Sequence, residues 1–166
     1  IEGQYGSLTV FDGTVRSVED SYATAIFASE GFIVNVKGGK VESGRIAISG
    51  QYVTVSGGEV SSDEDGILTA GDGGMIEVSG GKVSGSDYGI RTAGASEVTV
   101  SGGEISASAD GSYGLSVEGT TKMTLSGGKI TGSDTGIYLY EGCIITVSAD
   151  LAAAVAQNGP YTFGVA

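Results

Sequence analysis

The side chains of this chain that could do chemistry are carboxylates and tyrosines. Asp63, Glu64, Asp65 and Asp87 sit in short segments just ahead of glycines. Asp87 and Asp134 both stand two residues before a glycine, and Glu64 takes the matching place. Stacked carboxylates repel unless a cation lies among them. Calcium takes six to eight oxygen ligands, so Asp63, Glu64, Asp65 and Asp87 form a candidate calcium site. The alternative is a solvated acidic edge, and neither an EF-hand nor a nonapeptide calcium motif is present.

Tyr88 and Tyr113 each precede a glycine, while Tyr138 and Tyr140 alternate with Ile137 and Leu139. Period-two alternation turns such rings outward from a strand. With Asp87, Asp110 and Asp134 beside them, the four tyrosines suit a sugar ligand: its C–H faces stack on rings and its hydroxyls meet carboxylates. The alternative is an aromatic cover on a structural face.

Other chemistry is poorly served. The chain has no histidine and one cysteine, Cys143. A lone cysteine forms no internal disulfide, and the usual zinc ligands are missing. A nucleophilic Cys143 would have no histidine base, so a buried small residue is the expected role. Net charge is −12, from 20 acidic and 8 basic residues. Nucleic acid needs a basic surface, so it is excluded as a partner, and an anionic membrane surface is disfavoured. No run of about 18 apolar residues exists to span a membrane.

The positions of these residues follow a repeat. Ser-Gly-Gly occurs at 56–58, 79–81, 101–103 and 126–128, with Lys37-Gly38-Gly39 as a variant. Phe11-Asp12-Gly13 and Ser148-Ala149-Asp150 are weaker copies. The last motif residue falls at 13, 39, 58, 81, 103, 128 and 150, in steps of 26, 19, 23, 22, 25 and 22. A period in this range is the mark of a solenoid whose units bury their apolar faces by stacking.

Each unit reads as three short strands. The first alternates, as in Val53-Thr54-Val55 and Val98-Thr99-Val100. The second carries one inward residue: Val15, Val41, Val60, Val83, Ile105 or Ile130. The third begins at Ile26, Ile46, Ile67, Ile90, Leu115 or Ile137. The residue after each glycine pair is Lys40, Glu59, Lys82, Glu104 and Lys129 in turn, an alternation that suits in-register stacking. The expected fold is all-β: a right-handed parallel β-helix of about seven coils, 19–26 residues each. Residues 1–166 read as a single domain with a C-terminal cap at 151–166, excised from a longer surface or secreted protein.

Counted this way, coil length varies only between the second and third strands. That edge gathers Glu19, Asp20, Asp63, Glu64, Asp65, Asp87, Asp110 and Asp134, with Tyr22, Tyr88 and Tyr113. Variable loops on a rigid scaffold are where function concentrates. A second outward column, Thr9, Asn35, Thr54, Glu77, Thr99, Thr124 and Thr146, is broken as an ice-binding array and reflects strand propensity.

The repeats from Val53 to Ser148 resemble secreted bacterial β-helix proteins with tandem I-x-V-S-G-G-x-V … D-x-G-I coils. That resemblance implies either a carbohydrate-binding domain for polysaccharides, with calcium on the solenoid, or an adhesin-like module. The family's repeated Asp-Gly pairs are only partly kept here, at Asp65-Gly66 and Asp110-Gly111. Parallel β-helices also host polysaccharide lyases and hydrolases. Asp63 and Asp87 could supply the paired acids of a hydrolase, but the long loops that enclose substrate are missing. The expectation is a non-catalytic, extracellular or cell-surface bacterial module for carbohydrate binding or adhesion. Its partner would be a polysaccharide or a host or cell-surface glycan, and it would act as a monomer or as part of a longer chain. A structural spacer is the alternative.

Overall fold

A computed structural model describes residues 1–17, 23–69, 71–148 and 163–165. Glu19, Asp20 and Tyr22 lie outside these residues. So does the expected cap at 151–166, except for the strand at 163–165.

Every strand pairing among the described residues is parallel, and no helix occurs there. The first strands lie in β2 (Gly6–Val10), β4 (Thr24–Val36), β6 (Ile46–Ser62), β8 (Gly74–Gly85), β10 (Ser96–Ala107), β12 (Lys122–Thr131) and β14 (Ile144–Val147), and they pair in that order. The third strands lie in β4, β6, β7 (Asp65–Leu68), β9 (Tyr88–Arg91), β11 (Tyr113–Val117), β13 (Thr135–Leu139) and β15 (Phe163–Val165). This is the right-handed parallel β-helix, the usual hand for parallel crossovers. It makes about six turns between seven first strands.

Stacked apolar columns form the core, among them one column led by each strand of the coil and a further first-strand column of Val36, Val55, Val78, Val100 and Leu125. Val34, Val53, Ile76, Val98 and Met123 share one register. Val41, Val60, Val83, Ile105 and Ile130 share the second, and Ile26, Ile48, Ile67, Ile90, Leu115 and Ile137 the third. All of these are buried. Each such side chain contributes about 1.5–3 kcal/mol by leaving water.

The glycine pairs do not end the strands, although the ladder register shifts at them, as between Val55 and Glu59 and between Val100 and Glu104. In β6, β8, β10 and β12 the first and second strands run on through the pair. At Gly80, an added Cβ would stand 2.5 Å from the carbonyl oxygen of Ser56, one coil back. At Gly81, φ is +73°, which L side chains resist. Close stacking therefore requires the first glycine, and the bend requires the second.

The charged column is in register as expected: Lys40, Glu59, Lys82, Glu104 and Lys129 lie opposite one another in sequence. Glu104 and Lys129 close an ion pair at 3.0 Å. Lys40 instead turns along its own strand to Glu42, at 2.8 Å.

One expected alignment is displaced. Ile48, not Ile46, lies opposite Ile26 and Ile67, while Ile46 faces Thr24 and Asp65. The intervals from second-strand to third-strand residue thus become 11, 7, 7, 7, 10 and 7. The 19-residue coil is short elsewhere, in the turn after its third strand, where the β4–β6 register shifts between Ala28 and Ile33. Coil length therefore varies at two corners, not one.

Candidate functional site

The third-strand face builds the candidate site. Asp65, Tyr88 and Tyr113 occupy one column on successive coils. Tyr138 belongs to the next outward column, opposite Ser116 and, one coil earlier, Arg91. Ile137 and Leu139 point inward and are buried, which fixes the outward direction of Tyr138 and Tyr140. Tyr88 and Tyr113 stand one glycine away from the buried Ile90 and Leu115, and their half-buried rings join the same row by ring contact.

Parallel coils stand about 4.8 Å apart, the distance at which rings stack. Tyr88 and Tyr113 are 5.9 Å apart at 25° between planes. Tyr113 and Tyr138 are 4.7 Å apart at 40°, and Tyr138 meets Tyr140 at 5.0 Å and 79°. The four expected tyrosines therefore come together as one continuous row. Tyr113 has a ring against it from the coil before and another from the coil after. Ring faces in the middle of the row are engaged with each other, leaving edges and hydroxyls outward; Tyr140, at the end, is exposed. No hydrogen bond engages these hydroxyls among the described residues. Burial raises the Tyr88 and Tyr140 hydroxyl pKa values above the usual phenol range, so both remain donors near neutrality.

Arg91 anchors the near end of the row. Its guanidinium carbon lies 5.0 Å from the Tyr88 ring centre. It also donates to Asp65 Oδ2 from Nη2 at 2.8 Å and from Nε at 3.1 Å. Asp65 is 3% exposed. Its burial pushes the carboxyl pKa up, and the Arg91 charge pulls against that shift. Arg91 escaped the sequence reading because its partner is 26 residues away. The only local signal was a lone charged residue between Ile90 and Thr92.

The acids divide into two groups. Asp87, Asp110 and Asp134 are exposed beside the tyrosine row. Asp87 N–H and Asp134 N–H donate to the carbonyls of Glu64 and Ser112, which keeps both on the same flank. Asp110 sits at the tip of the longer fifth coil. The expected calcium site at Asp63, Glu64, Asp65 and Asp87 does not assemble. Glu64 is held by Arg45 at 3.0 Å and Asp65 by Arg91, while Asp63 and Asp87 are exposed. No group of three or more His, Cys, Asp or Glu converges on a metal position among the described residues. Two arginines supply the positive charge that calcium was expected to bring.

Cys143 is half-buried, with its thiol donating toward the Val117 and Gly119 carbonyls at 3.1 and 3.2 Å. Burial pushes its pKa up, away from thiolate chemistry.

These features define a parallel β-helix repeat protein with an aromatic edge. Residues 11–154 match the family model described as "Periplasmic copper-binding protein (NosD)", and the chain belongs to that family. The family is described as periplasmic. No curated protein and no solved structure matches the chain. No helix among the described residues is long and apolar enough to cross a membrane.

Copper favours imidazole, thiolate and thioether ligands. This chain has no histidine. Met123 is buried in the core, Met75 is exposed on another face, and the Cys143 thiol is occupied by carbonyls. These donors do not fit a copper site.

Proposed function

We propose that this chain is a non-catalytic module, periplasmic or extracellular, that binds an extended carbohydrate along its third-strand edge. The observation that carries the reading is the row of Tyr88, Tyr113, Tyr138 and Tyr140, in ring-to-ring contact across three coils. A chain of sugars laid along the axis would meet phenol hydroxyls and ring edges at each coil. Asp87, Asp110 and Asp134 would accept from its hydroxyls on the flank. The partner is a polysaccharide or a cell-surface glycan, which gives the module a role in adhesion or retention.

The engagement of the rings with each other favours a second reading, a structural spacer whose tyrosines only brace the solenoid. A glycan array separates the two. Selective binding to one glycan class is expected; no binding to any glycan overturns the proposal in favour of the spacer.

A further inference from the structure

The first-strand face carries a groove that the tyrosine edge does not share. Tyr52, Met75, Glu97 and Lys122 occupy one column on successive coils. They point outward, because Val53, Ile76, Val98 and Met123 beside them are buried. The incoming turn alongside is reduced to small residues at Gly73, Ala95 and Thr120. Column and turn together leave an open groove of about 450 Å³ running along the axis.

The turn side of this groove is tied in place. Asp72 Oδ1 accepts from the Ala95 N–H at 2.8 Å, and Gln51 Nε2 donates to the Asp72 carbonyl at 3.0 Å. The Thr121 hydroxyl donates to the Glu118 carbonyl at 2.7 Å and accepts from the Ser96 N–H at 3.2 Å. A wall fixed before binding lowers the ordering cost of binding. The groove's own side chains, by contrast, are uncommitted. Among the described residues, the Tyr52 ring stacks on no other ring, and Glu97 and Lys122 form no ion pair.

We propose that this groove binds a short segment of neutral polysaccharide. The choice of carbohydrate rests on the reading above. A pyranose ring would lie on Tyr52 and the Met75 methyl, with hydroxyls reaching Glu97, Lys122 and Thr120. Neutrality follows from charge: the groove holds one carboxylate and one ammonium, on a chain of net charge −12 that repels polyanions. An aromatic ring engaged with no other ring and locally balanced charge occur here together, which the tyrosine edge does not offer.

The two methionines make the test direct. Met75 lines the groove, and Met123 is 1% exposed in the core. Protein labelled with ¹³C at the methionine methyls is titrated with cellohexaose, xylohexaose and mannohexaose. With at least one of them, the Met75 methyl should shift saturably while Met123 stays still. Tyr52→Ala should weaken that titration by about tenfold or more with Met123 unmoved, showing an intact core. Glycan binding on an array with Met75 still in every titration overturns the groove and leaves the tyrosine edge standing. No glycan binding by array or titration overturns both.

Discussion

The Arg91 guanidinium donates at 2.8 Å to the carboxylate of Asp65, one coil away and almost fully buried. The two partners are unequally exposed: the Arg91 side chain is 34% accessible and that of Asp65 only 4%. Removing Arg91 strands a buried charge. Removing the Asp65 charge frees an arginine that can reach water. Arg91→Leu should therefore destabilise by about 3 kcal/mol, and Asp65→Asn by under about 2 kcal/mol. Urea unfolding of both variants checks the order. Equal losses would contradict the asymmetry.

The same carboxyl gives a pH signature. Its folded pKa is raised above the ordinary aspartate value, chiefly by burial. The folded state then holds its proton to higher pH than the unfolded state does. The associated stability is complete below the unfolded pKa and is lost as pH rises through the folded one. Glu42 has the opposite sign, since its pKa is lowered by the hydrogen bond from Lys40; its contribution fades as pH falls through its folded value. The native chain should gain thermal stability relative to Asp65→Asn as pH is lowered from 7 toward 4. A constant difference between their melting temperatures would show that Asp65 is not the titrating group.

Close coil stacking makes a sharp distinction among glycines. Gly80→Ala places a methyl against the Ser56 carbonyl and should cost about 3 kcal/mol or more. Gly111 has φ +77° but open space around it. Gly111→Ala bears only the left-handed backbone penalty, about 1–2 kcal/mol. Thermal melts of the two variants should rank them in that order.

Much of this architecture was legible in the sequence. The Val60, Val83, Ile105 and Ile130 column and the Lys/Glu column were read in the register the structure shows. Both mark a fixed offset from the glycine pair, and backbone packing requires that pair. Ile46 was misplaced because Ile46 and Ile48 are equally apolar and share one strand phase. Only the neighbouring coil decides between them. In the site, the grouping of Tyr88 with Tyr113 followed from the repeat. The Asp65–Arg91 and Glu64–Arg45 pairs did not, because each joins side chains from different coils with no shared offset. Those pairings turned two of the four expected calcium ligands, Glu64 and Asp65, into ion-pair partners.

The copper description of the family leads to a further expectation. With no histidine, a carbonyl-bound Cys143 and a core-buried Met123, this chain should show no stoichiometric site for Cu(II) or Cu(I). Ligands that bind the folded state raise its melting temperature. An unchanged midpoint in excess copper, with no retained metal after dialysis, is expected. One tightly retained copper per chain would contradict it.

The central claim concerns the outward hydroxyls of the tyrosine row, and a triple variant tests it most directly. Tyr88→Phe, Tyr113→Phe and Tyr138→Phe together keep the ring contacts and remove only the hydroxyls. Calorimetric titration with the glycan selected on the array should show about tenfold or greater weakening, at about 0.5–1.5 kcal/mol per hydrogen bond lost. The melting temperature should match the native chain. Unchanged glycan affinity in the triple variant would contradict the account.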